Sequence, residues 1–157
     1  MNADLAEAPV FANPTSRLDV MPYAECVAAL RAQHVGRVGF VDDGQIVVVP
    51  VNYAFVAGSI IFRSALGAKV SHAELGDPMS FEIDAADDAT QSGWSVLAKG
   101  VSEHVDDPWL TDMYAYLGEA PWLRDVPRDE WVRIRVETIT GRRVVPGSGP
   151  ASAVSTA

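Results

Sequence analysis

Cysteine is almost missing from this chain of 157 residues. Cys26 stands alone, which excludes an intrachain disulfide and a cysteine-rich metal site and fits a reducing compartment. Histidine is scarce as well. His34, His72 and His104 are far apart, with no H-x-H or H-x-x-x-H spacing, so no zinc site is expected. Only 12 Lys and Arg stand against 21 Asp and Glu, giving a net charge of −9. A nucleic-acid groove works by counterion release from clustered cations, so nucleic acid is excluded as a partner, and an acidic membrane surface would repel the chain. No run of about 18 apolar residues occurs, and no charged segment followed by an apolar one opens the chain. The expectation is a cytoplasmic protein with no membrane partner. G-x-G-x-x-G after a strand, a Walker-type loop and a G-x-S-x-G elbow are all missing too, which removes the common dinucleotide, nucleoside-triphosphate and serine-hydrolase sites.

What is present is enough for one core, since apolar types make up 48% of the residues. Residues 1–20 and 146–157 lack apolar periodicity and are expected to be mobile ends around a domain at 21–145. After Pro22, Tyr23, Val27, Leu30 and His34 fall at helical spacing. Cys26 on that helix reads as a small buried hydrophobe. Residues 37–41 read as a strand, Asp43 and Gly44 as a tight turn, and residues 46–56 as a second, longer strand. Pro50 cannot donate to a ladder, so this strand is an edge or is bulged near residues 50–53. Strands follow at 59–63, 79–84 and 94–105, the last interrupted by Gly100, with a short helix at 67–75 and an acidic loop at 84–91. Asp107 and Pro108 start a helix whose apolar face is Leu110, Met113, Tyr114 and Leu117 and which Gly118 ends. A last strand runs over 131–145. Trp109 and Trp122 read as core or interface anchors. The fold class is mainly β with short helices, arranged as an antiparallel barrel.

The residues with chemistry to offer form a short series. Arg63 and Lys69 are cationic donors separated by the Ser64 hydroxyl and by Gly67 at a helix start, a combination that suits a phosphate monoester. Pro50, Val51, Asn52 and Tyr53 precede them, and Ser92, Gly93, Trp94 and Ser95 follow. Other readings stay open: Arg63 and Lys69 as a solvated edge, Tyr53 as a strand former, Trp94 as core in alternation with Val96 and Ala98, Ser92 as part of a closing loop. No side chain stands out as a general acid or base, so the catalytic residues are unknown.

The order of these segments resembles the pyridoxamine 5′-phosphate oxidase-like, flavin-nucleotide-binding split barrels, in particular their small actinobacterial type. The resemblance is carried by a helix, the strand with Gly36, Arg37 and Val38, the Pro50 to Tyr53 strand, the Phe62, Arg63 and Ser64 strand end with Lys69 beyond it, and the Gly93, Trp94, Ser95 and Val96 strand. It implies a six-stranded antiparallel split β-barrel of the FMN-binding type and a homodimer with FMN at the subunit interface. Arg63, Ser64 and Lys69 would meet the phosphate, Val51, Asn52 and Tyr53 would line the isoalloxazine, and Ser92, Trp94 and Ser95 would approach from a neighbouring strand or the partner subunit. The implied activity is that of an FMN-dependent oxidoreductase acting on a small-molecule substrate. A deazaflavin coenzyme on the same fold, or a protein that stores or senses flavin or haem without turnover, are the alternatives. The chain departs from the oxidases where they carry adjacent basic residues and it has Ala68 and Lys69, and Arg142 and Arg143 find no match in the oxidases' substrate-reading pattern.

Overall fold

Buried and exposed side chains alternate along the long strands of the computed structural model, which describes residues 16–115 and 129–146. In chain order the elements are β1 (Arg17–Val20), α1 (Tyr23–Ala32), β2 (Val35–Asp42), β3 (Gln45–Val56), β4 (Ser59–Ser64), α2 (Ala68–Leu75), β5 (Pro78–Asp87), β6 (Ser92–Val105), α3 (Pro108–Ala115) and β7 (Glu130–Val145). Neighbours pair in the order β7, β4, β3, β2, β5, β6, and β6 pairs back onto β7, so six antiparallel strands close a ring. This is the expected six-stranded split barrel. β1 is a seventh strand outside the ring, within the stretch expected to be mobile. It exists because β4 covers β7 only from Glu130 to Arg135, leaving the edge at Arg142 to Val145 for residues 17–20 to pair with.

Every second residue of the ring strands points inward. Val38 and Phe40, Tyr53 and Phe55, Ile60 and Phe62, Phe81 and Ile83, Val96 and Ala98, and Val132 and Ile134 form one core. Cys26 and Leu30 from α1 and Val70 and Ala73 from α2 pack into it. Burying a side chain such as Leu30 or Phe81 stabilises the fold by about 1.5–3 kcal/mol relative to exposing it. The helical stripe expected from Tyr23 is rotated: Tyr23 is exposed, and Cys26 and Leu30 carry the contact. Cys26 is buried, and that burial raises its thiol pKa.

Two other expectations are corrected. Gly100 does not interrupt its strand; β6 runs through it, and the register against β7 shifts between Lys99 and Gly100. A Cβ on Gly100 would lie 1.9 Å from the Arg135 carbonyl oxygen, so the close approach of the two backbones requires glycine. Half of the acidic segment is strand rather than loop, since Asp84 to Asp87 pair with Ser95 to Ser92. The turn beyond is closed by Asp87, whose carboxylate accepts from the amides of Ala89 and Thr90. Trp109, expected as a core or interface anchor, is exposed in the protomer. The Asp107 cap holds, its carboxylate accepting from Trp109 and Leu110. Leu117, Gly118 and Trp122 lie outside the described residues.

Candidate functional site

The barrel parts between β3 and β4. β3 pairs with β2 from Gln45 to Asn52 but with β4 only from Tyr53 to Val56, so the two strands separate at Asn52 and Arg63. Pro50 is the local reason. The Tyr53 amide donates to the His34 carbonyl on the β2 side; alternation then turns the backbone groups of residues 50 and 52 away from β2, toward the opening. A proline there costs β3 no ladder bond. The expected edge at Pro50 is therefore present, and the β2–β3 register continues through it without a bulge.

Val51, Asn52, Arg63 and Ser64 sit on the two lips of this opening, and the chain leads from Ser64 through Gly67 directly into α2. Gly67 has a φ of 154°, a conformation that essentially only glycine adopts. No side-chain hydrogen bond caps the helix that follows, and Lys69 adds a positive charge in its first turn, a combination that attracts an anion. Arg63 projects outward with its guanidinium 5.0 Å from the centre of the Trp131 ring, a cation–π contact that fixes its direction. These features fit a phosphate.

Two of the expected contact residues turn the other way. Tyr53 is buried, its ring 4.5 Å from that of Phe81 and its hydroxyl donating to the Leu30 carbonyl at 2.8 Å. Desolvation raises its pKa. Its side chain belongs to the core, and only its backbone borders the opening. Ser64 is also buried and donates to the Ala65 carbonyl at 2.8 Å.

Ser92, Trp94 and Ser95 are elsewhere. They line an open groove of about 750 Å³ over β5, β6, β7 and β1, with Asp84, Leu18 and Arg142 on its walls. Ser92 shares a hydrogen bond with Thr90, and Ser95 lies between Asp84 and Arg142 in neighbouring strands. Arg142 joins the site only through the β6–β7 register, which sequence spacing does not show. The two groups stand at opposite ends of β7: Arg63 pairs with Trp131 and Trp94 with Arg143. Twelve residue steps along β7 separate those positions; around the other side of the ring, across β3, β2 and β5, the two groups are four strand spacings apart, roughly 19 Å.

Comparison with known proteins agrees with this architecture. The chain is 33% identical over 144 residues to an uncharacterized protein of Mycobacterium tuberculosis, covering 87% of this chain and 93% of the relative. Among solved structures it is similar to the FAD-binding protein of Mycobacterium smegmatis, at 27% identity with a TM-score of 0.60, covering 81% of this chain and 98% of the other. A candidate pyridoxamine 5′-phosphate oxidase from Corynebacterium glutamicum has the same identity and coverage, with a TM-score of 0.69. The family model for pyridoxamine 5′-phosphate oxidase matches residues 22–143. The chain belongs to the pyridoxamine 5′-phosphate oxidase family.

Proposed function

We propose that this protein is a cytoplasmic FMN-binding oxidoreductase that acts on a small organic substrate as a homodimer with two flavin sites at its interface. The observation that carries this reading is the placement of the phosphate-type residues and the Trp94 groove on opposite sides of the β3–β2 face. β3, β2 and β5 stand between the two groups of one protomer, so one protomer does not close both on the same flavin. A two-fold partner does. Around the ring, β4 with Arg63 lies on one side of the β3–β2 face, and β5 and β6 with Trp94 lie on the other. A two-fold axis running along these strands sets the β4 side of one copy against the β6 side of its partner.

The face between is built for contact. Val41 pairs across from Ile46, Gly39 from Val48 and Val35 from Asn52, and Val35, Val41, Ile46 and Val48 are all exposed, Ile46 at 83%. Contiguous exposed apolar residues of this kind mark an interaction surface. Arg37, ion-paired with Glu82 and Asp84, gives the face a polar rim.

When bound, the flavin supplies hydride and electron transfer. The chain's part is to hold it: Arg63, Lys69 and the N-terminus of α2 for the phosphate, the backbone of Val51 and Asn52 at the ring edge, and Trp94 with Ser95 of the partner copy against the ring face. FAD is the second reading, favoured by the FAD-binding relative from M. smegmatis; it would use the same phosphate site. The absorption spectrum of the purified protein and the mass of the cofactor released on denaturation test the proposal. FMN released in one copy per chain, with oxidation of reduced nicotinamide by the loaded protein, is the expected result. A protein that takes up neither FMN nor FAD would overturn it.

A further inference from the structure

We propose that His72 is a positioning residue: it fastens α2 to the barrel through Asp42 and Asp77, so that loss of its proton loosens the helix that carries Lys69 and weakens the hold on a flavin phosphate. The effect on ligand rests on the assignment of Lys69 to that phosphate. The fastening does not.

His72 lies in the middle of α2, one turn after Lys69. Its Nδ1 is 2.6 Å from Asp77 in the connection to β5, and its Nε2 is 3.1 Å from Asp42 at the end of β2. The Phe40 ring of β2 packs on the imidazole, with centroids 5.4 Å apart. Ser102 of β6 donates to the backbone carbonyls of His72 and Asp77. Among the described residues, the charged groups facing the imidazole are these two carboxylates. Glu74 of the same helix is directed instead to His104 of β6, at 3.8 Å, and His104 reaches Glu130 of β7 at 2.7 Å.

Both ring nitrogens of His72 therefore face carboxylate oxygens. An imidazolium donates to both, whereas a neutral imidazole has one N–H and leaves the other nitrogen lone pair against a carboxylate. The hydrogen bond to Asp77, then that to Asp42, raises the pKa of His72, with burial opposing. A raised folded-state pKa gives a definite sign: the fastening is complete below the ordinary histidine value and is lost as pH climbs through the raised one. Asp42 is the partner expected to be released first, because its bond is the longer. The helix then keeps its covalent connection and its Val70 and Ala73 contacts but loses its tie to the end of β2.

The test has two arms. In the ligand-free protein, amide hydrogen exchange across α2, corrected for intrinsic rates, is measured at about pH 6 and about pH 9, on either side of a raised histidine pKa. Protection in the wild type is expected to fall roughly two- to fivefold between the two, as for one ion pair, and to be low and independent of pH in His72→Gln. In the second arm, FMN and riboflavin are titrated by flavin fluorescence over the same range. FMN affinity is expected to fall by a similar factor in the wild type, riboflavin affinity to stay level, and the pH dependence to vanish in Lys69→Ala. Equal α2 protection at both pH values, or a pH dependence that survives in His72→Gln, would overturn the fastening. A pH response of α2 without any FMN binding would leave the fastening standing and remove the flavin assignment.

Discussion

Arg63 and Lys69 are the residues proposed for the phosphate, one cation near the end of β4 and one in the first turn of α2, whose N-terminus has no side-chain cap. A charge-assisted hydrogen bond to an anion contributes about 1.5–3 kcal/mol, roughly ten- to a hundredfold in affinity. Arg63→Ala and Lys69→Ala should each weaken FMN binding by that order and leave riboflavin, which lacks the phosphate, unchanged; isothermal titration with both ligands measures it. Equal losses for the two ligands would mean that these residues support the fold. Lys69 stands out in the sequence because lysine is rare in this acidic chain, Lys99 being the only other. Tyr53 and Ser64 show what is not legible. Both lie beside the opening, yet strand alternation turns their side chains into the core, where the Tyr53 hydroxyl donates to the Leu30 carbonyl of α1 and the Ser64 hydroxyl to the adjacent Ala65 carbonyl. Inward or outward direction depends on register across the barrel, and register is a non-local property.

At the scale of the elements, strand existence follows from local pattern, and strand ends follow from partners. The hairpin turn at Asp43 and Gly44, the edge character of Pro50 and the Asp107 cap are each written in a few adjacent residues. β1 and the extra length of β5 are not, because they form where β7 and β6 leave backbone groups to be paired. Gly100 separates the two kinds of information. Its glycine is visible in the sequence, whereas the carbonyl of Arg135 that forbids a side chain comes from a strand 35 residues further on. Overpacking against side chains that can yield costs about 1–3 kcal/mol. Here the obstacle is backbone, so Gly100→Ala is expected to cost at least about 3 kcal/mol and to lower the melting temperature by roughly 10 °C. Asp107→Ala removes only a helix cap and should cost about 1 kcal/mol. Scanning calorimetry of the two variants orders them, and a Gly100→Ala protein that melts with the wild type would contradict the β6–β7 register.

For the whole molecule, α1 and α2 pack into the barrel core, and among the described residues the outer face of β2 and β3 carries a row of exposed apolar side chains. Ile46 and Val48 stand on that face at alternate positions and touch nothing in the described protomer that would explain two apolar side chains in water. If the two-fold runs along these strands, each substitution there enters the interface twice, and a carboxylate at position 46 or 48 faces apolar surface and the like charge of its own copy. Loss of one well-packed interface residue costs about 1–2 kcal/mol per copy, which makes Ile46→Asp or Val48→Asp roughly a hundredfold loss in dimer affinity or more once doubled. The protomer core contains neither residue, so the melting temperature of the isolated protomer should stay close to that of the wild type. Flavin binding should fall with the dimer, since Trp94 reaches the Arg63 end of the site only from the partner copy. Light scattering at a series of concentrations, run beside FMN titration, follows both quantities at once. A variant that is monomeric and still binds FMN as tightly as the wild type would place the whole site within one protomer and dismiss the two-fold arrangement.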